Sequence, residues 1–143
     1  MSDNRIPARL KKMVAERAGN RCEYCLSPLE FSIDPFVTEH ILPKSRGGKS
    51  TLDNLAFACQ GCNGQKYNKT EAEDPVTGEL VPLYHPRQDD WKKHFTWSEG
   101  YTILIGLTNI GRATIAELDL NRLGVINFRR VLLLLNEHPS KQP

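Results

Sequence analysis

No stretch of this 143-residue chain approaches the ~20 consecutive apolar residues that span a bilayer. The longest aliphatic run is Val131–Leu135, so no membrane span is expected. The N-terminal segment Met1–Met13 is polar and basic, and no apolar stretch behind it reads as a secretory signal. A cytoplasmic protein is the expectation. A strong charge of one sign is also missing: 19 Lys and Arg face 17 Asp and Glu, for a net charge of +2. That balance permits a nucleic-acid partner without demanding one. Internal repeats and low-complexity runs are absent. Gly106-Leu-Thr-Asn-Ile-Gly111 looks like a nucleotide loop only superficially, because it has neither the G-x-G-x-x-G spacing nor a following Lys-Ser/Thr.

Cysteine is scarce but patterned. The only four, Cys22, Cys25, Cys59 and Cys62, form two C-x-x-C pairs. Paired knuckles are the usual source of tetrahedral thiolate coordination, so a structural Zn²⁺ is expected. Two disulfides or a redox role are the alternatives. A reducing cytosol disfavours disulfides, and a single thioredoxin-like pair would leave the second pair unexplained.

The charge is unevenly spread. Residues 1–21 carry Arg5, Arg9, Lys11, Lys12, Arg17 and Arg21 against Asp3 and Glu16, which makes this arm +4 and the remainder −2. Lys44, Arg46, Lys49, Lys66 and Lys69 follow with Asp53 alone opposing them, after which Glu71, Glu73, Asp74, Glu79, Asp89 and Asp90 reverse the sign. Positive charge thus gathers around the cysteine pairs, where a phosphate backbone would want it, although a solubilising surface has the same composition.

Pro7–Arg17 reads as a helix with Ile6, Leu10, Met13 and Val14 as its apolar stripe, ended by Gly19 and Asn20. Phe36–Ile41 and Leu55–Ala58 read as short extended segments around a basic glycine loop, Lys44–Ser50, and a short helix is expected over Asn63–Asn68. Asp74–Glu79 reads as a turn-rich connector. Farther on, Trp91, Phe95 and Trp97 are expected to pack the module against the rest of the chain rather than to stack on bases, Tyr101–Leu107 to form a strand, Thr108 or Asn109 to cap a helix over Arg112–Leu118, and Phe128–Asn136 to form a last helix. A disordered tail is expected from His138. The chain is therefore read as a basic helical arm (1–21), a zinc-stapled module (22–70) and a connector with a C-terminal packing region (71–143).

The 33 residues between Cys25 and Cys59 hold more than a plain ribbon needs. Val37-Thr-Glu-His-Ile-Leu-Pro-Lys-Ser-Arg-Gly-Gly48, then Asn54-Leu55, then Cys59-x-x-Cys-Asn-x-x-Lys66 occur in that order. Singly each is weak; together they resemble the HNH nuclease family, in the branch with a structural zinc between two C-x-x-C knuckles. The resemblance covers about a third of the chain, roughly Cys22 to Lys69. It implies an α+β protein with a ββα-metal core, flanked by an N-terminal helix and a C-terminal strand–helix region. It also implies DNA cleavage with one divalent ion, leaving 5′-phosphate and 3′-hydroxyl ends.

The same resemblance assigns roles. His40 would be the general base, a task suited to an imidazole whose ordinary pKa lies near pH 7. Asn63 would offer its amide oxygen to Mg²⁺ or Mn²⁺ from the start of a helix. Asn54 would organise the loop carrying the base. Glu39 stands where the family often has an aspartate that binds the catalytic metal, and its longer carboxylate would be a ligand of that divalent ion together with Asn63. Arg46, Lys49, Lys66 and Lys69 would contact flanking phosphates, with Lys66 alternatively laying its stem across the module and its ammonium in water. The implied partner is double- or single-stranded DNA. A double-strand break needs two events or two protomers, so a homodimer or larger nuclease assembly is compatible. The rival is a catalytically inactive, zinc-stabilised nucleic-acid-binding module, for which the Glu39 departure speaks and the joint retention of His40, Asn54 and Asn63 does not. A purely structural, partner-binding zinc protein is a third reading.

Overall fold

The computed structural model describes residues 6–139, so the charges at Asp3 and Arg5 and the tail from Ser140 lie outside the described residues. The described residues are α+β, with short helices and three separate antiparallel strand pairs among them. It divides after Thr70 into two compact units. No helix among the described residues is long and apolar enough to cross a membrane.

The first unit opens with α1 (Ala8–Arg17), which Pro7 precedes at the N-cap position. Gly19 (φ +63°) and Asn20 (φ +56°) then turn the chain sharply through left-handed backbone. The strands β1 (Val37–His40) and β2 (Leu55–Ala58) pair antiparallel, Val37 opposite Ala58 and His40 opposite Leu55. Ile6, Val14, Leu55 and Phe57 are buried together, with Leu10, Ala15, Leu29, Phe36 and Leu52 packed around them. Met13, expected in the stripe, is 45% exposed. Arg17, at the end of α1, donates to the carbonyls of Leu52 (2.9 Å) and Leu55 (2.6 Å) and so ties the helix to the start of β2.

The next helix, α2 (Gln60–Lys66), starts three residues before the expected Asn63. Its N-cap is Cys59, whose sulfur accepts from the Cys62 amide at 3.4 Å. A cysteine is not among the usual N-cap residues, and the knuckle supplies the geometry instead. Asn63 consequently projects from the middle of α2 rather than from its start.

In the second unit, β3 (Glu71–Glu73) and β4 (Leu80–Pro82) form a hairpin, so Asp74–Glu79 is its loop rather than a free connector. Asp74 is fully buried and takes a bidentate pair from Arg112, at 2.9 and 2.7 Å. The one-turn helix α3 (Trp91–His94) leads into β5 (Phe95–Trp97), which pairs with β6 (Leu104–Gly106). Trp91 packs its ring against Phe95 and Trp97, at 5.4 and 5.9 Å. Thr108 caps α4 (Asn109–Leu118), accepting from the Gly111 amide at 3.0 Å.

The last helix, α5 (Leu123–Leu134), begins before the expected Phe128, because the inward face of Val125, Arg129 and Leu132 outweighs Gly124 in its first turn. The tail is ordered farther than expected: His138 is buried, 2.6 Å from the Tyr101 carbonyl and edge-on to Trp97.

Candidate active site

The four cysteine sulfurs lie within 4.8 Å of one another, and Cys25 and Cys59 are 3.8 Å apart. Tetrahedral Zn–S bonds of about 2.3 Å place sulfurs about 3.8 Å apart, and a disulfide would need about 2.05 Å. The cluster therefore has the dimensions of a zinc centre, and none of the four is in a disulfide. Within each knuckle a backbone amide points at the first sulfur, Cys25 N–H to Cys22 at 3.5 Å and Cys62 N–H to Cys59 at 3.4 Å. Four sulfurs this close cannot ionise together unaided. Burial pushes the Cys22 thiol well up, while hydrogen bonding from Cys22 holds Cys59 well down. A divalent soft cation removes that conflict, so the donor set fits Zn²⁺.

The first knuckle also reaches the strands. The Glu23 amide donates to the Phe57 carbonyl and its carboxylate accepts from the Phe57 amide, both at 2.9 Å. Tyr24, between the two cysteines, is 1% exposed and donates its hydroxyl to Glu39. Lys66 approaches the other oxygen of Glu39 at 3.2 Å and donates to the Ile41 carbonyl at 2.9 Å. Burial raises Glu39 above the ordinary carboxylate range against the opposing charge of Lys66, and burial likewise pushes the Tyr24 hydroxyl well up.

Two expectations change as a result. Both carboxylate oxygens of Glu39 have partners inside the module, so in this arrangement Glu39 is a buried counter-ion and offers no open face to a catalytic cation. Lys66 is 1% exposed, so its ammonium is neither in water nor against a phosphate. Sequence spacing could not reveal this: a Lys within a polar tract is ordinarily solvated, and only folding α2 onto β1 brings it to Glu39.

Successive residues of a strand face opposite ways. Glu39 points into the module, and His40 turns to the other side, where its Nε2 lies 2.8 Å from the Ser50 hydroxyl. His40 is 6% exposed and thus recessed. The loop between the strands is held by Asn54. Its Oδ1 accepts from the Leu42 amide (2.9 Å), its Nδ2 donates to the carbonyls of Leu42 (3.1 Å) and Lys49 (3.0 Å), and its carbonyl accepts from the Ile41 amide (2.9 Å). Gly48 lies beneath this clamp: a Cβ there would come 1.7 Å from the Leu42 carbonyl oxygen. Gly47, at φ +90°, makes the preceding turn.

Asn63 is half-buried on α2, and its side-chain amide makes no hydrogen bond among the described residues. Arg46, Lys49 and Lys69 are exposed. Arg46 Nη1 donates to the Thr70 hydroxyl at 2.9 Å, which brings the basic loop to the segment after α2. Sequence reasoning overlooked Tyr24, Ser50 and Tyr67. A serine closing a basic loop and a tyrosine inside a knuckle carry no signal of their own; only the partners across the fold single them out.

No curated protein and no solved structure matches the chain. Residues 22–69 do match the family model described as HNH endonuclease. That segment, with its four-cysteine cluster and its β1–β2–α2 order, is similar to the HNH endonucleases.

Proposed function

We propose that this module hydrolyses DNA phosphodiester bonds in a metal-dependent reaction with His40 as general base. The observation that carries the reading is the division made by β1: Glu39 is locked inward by Tyr24 and Lys66, and His40 is presented on the opposite side with its ring held by Ser50. Ser50 limits rotation of the imidazole, so the ring is oriented before substrate arrives. Asn54 and Gly48 hold the loop that carries Ser50. His40 takes a proton from the water whose oxygen attacks phosphorus, the bond from phosphorus to O3′ breaks, and 5′-phosphate and 3′-hydroxyl ends result.

Asn63 Oδ1 is the hard oxygen that would hold Mg²⁺ or Mn²⁺, with phosphate oxygens and water completing the shell. When bound, such an ion supplies charge stabilisation at the phosphate and the departing oxygen. Arg46, Lys49 and Lys69, all exposed, would contact phosphates on either side.

The test is nicking of supercoiled plasmid by the folded, zinc-loaded protein in Mg²⁺, Mn²⁺ or EDTA, with His40→Ala alongside. Metal-dependent nicking that falls by about 10²–10⁴-fold in the variant supports the assignment. Equal cleavage by both proteins rejects His40. The inward fixing of Glu39 favours a second reading, a binding module without catalysis. Two inert proteins that retain salt-sensitive DNA binding would establish it.

A further inference from the structure

Tyr67 follows α2 directly and has φ +52° and ψ −115°, a conformation that glycine adopts easily and a side-chain-bearing residue rarely does. Its amide closes the helix by donating to the Asn63 carbonyl at 2.9 Å, a bond that any residue other than proline could make. The ring stands mostly in solvent. It is 75% exposed, and among the described residues its hydroxyl has no hydrogen-bond partner and its ring no aromatic or cationic neighbour. A large aromatic held outward in strained backbone is best explained by something outside the chain.

Its surroundings identify the partner. Asn63 lies one helical turn back, Lys69 two residues on, and Arg46 reaches Thr70 three residues on. Two exposed cations, Lys69 and the Arg46 bonded to Thr70, thus flank the short segment that carries both the ring and the amide assigned to the catalytic ion. A phosphate backbone carries anions for the cations, and an unpaired base carries a flat π-face for the ring. A paired base keeps both faces covered by its neighbours in the stack and offers the ring no such surface.

We infer that Tyr67 stacks on an unpaired nucleobase, making single-stranded, gapped or bulged DNA the preferred substrate of the module. The inference rests on the nuclease reading for its choice of DNA, and its test is a binding measurement that needs no cleavage.

The full chain carrying His40→Ala, which prevents turnover, is titrated onto fluorescent oligonucleotides: a single strand, a perfect duplex, and a duplex with a one-base bulge. Tyr67→Gly and Tyr67→Trp are compared in the same background. Tyr67→Gly is expected to weaken binding of the single strand and the bulge by about tenfold or more, as loss of one stacked base does. Duplex affinity should stay within about twofold, and the salt dependence should not change, because no cation is removed. The thermal midpoint should hold or rise, because glycine relieves the backbone. Tyr67→Trp should retain the preference.

A Tyr67→Gly variant that binds all three DNAs like its parent overturns the inference. So does equal weakening on all three, or a lowered midpoint, which would mean that the ring packs within the fold. If the chain with native His40 nicks plasmid yet the Tyr67→Gly pair shows no difference, only the stacking fails. If it does not nick but the preference is present, only the nuclease reading fails.

Discussion

Lys66→Met separates a surface cation from a buried one. The side chains of Lys66 and Glu39 are 2% and 5% exposed, and their charged atoms are 3.2 Å apart. Methionine keeps most of the aliphatic stem, so the perturbation is the ammonium itself. Its removal leaves the Glu39 carboxyl in a dry site with no counter-charge and only Tyr24 as donor, and strips the Ile41 carbonyl of the Lys66 hydrogen bond. Breaking a buried ion pair in this way costs about 3–5 kcal/mol. An exposed phosphate-binding lysine costs at most about 0.5 kcal/mol of stability when replaced. For a unit of this size 3 kcal/mol lowers the thermal midpoint by about 12 °C or more. The assay is far-UV circular dichroism melting of zinc-loaded protein, with DNA affinity measured against salt in parallel. The double variant Glu39→Gln/Lys66→Met removes both charges while a neutral amide can still accept from Tyr24, and should recover about half the loss or more. Lys69→Met is the surface control, expected to melt like the parent and to reduce the salt slope by about one. A Lys66→Met protein that melts normally and shows the reduced salt slope would refute the buried placement.

Two further outcomes follow from hydrogen bonds in the two units. Ser50→Ala removes one hydrogen bond that orients the His40 ring, so nuclease kcat should fall by about tenfold with KM and melting little changed; an unchanged kcat would remove Ser50 from the positioning of the base. In the second unit, the hydrogen bonds from Arg112 hold the Asp74 carboxyl well below its ordinary range. A depressed carboxylate contributes stability above its unfolded pKa of about 3.9 and loses it as pH falls toward the folded value. Asp74→Asn should therefore be less stable at neutral pH and show a flatter acid limb below about pH 4. Both tryptophans, Trp91 and Trp97, lie in this unit and report it by fluorescence; parallel acid limbs for the two proteins would contradict the pairing.

Some of this protein was decided by the order of residues alone. Two C-x-x-C pairs bring four soft donors to one point whatever lies between them, because tetrahedral coordination closes over a wide range of loop lengths. Leu55–Ala58 is a strand because a short apolar run bounded by Asn54 and a knuckle has no room for a helix. The hinge after α1 follows from Gly19 and Asn20, and the cap of α4 from Thr108, since each is a local conformational preference. What sequence could not settle were contacts whose energy arises only when distant segments meet. Lys66 and Glu39 are charged residues 27 positions apart, and nothing local distinguishes them from solvated ones. Burial against Tyr24 makes them a pair. The start of α2 shifted because a sulfur held by the knuckle replaced an ordinary cap. Asp74 left the surface because Arg112, 38 residues on, folded back to meet it. The ligands and the short periodic elements were legible because their physics is local. The counter-ions, the orienting serine and the strained tyrosine needed tertiary structure, because desolvation and strain exist only once the chain has closed on itself.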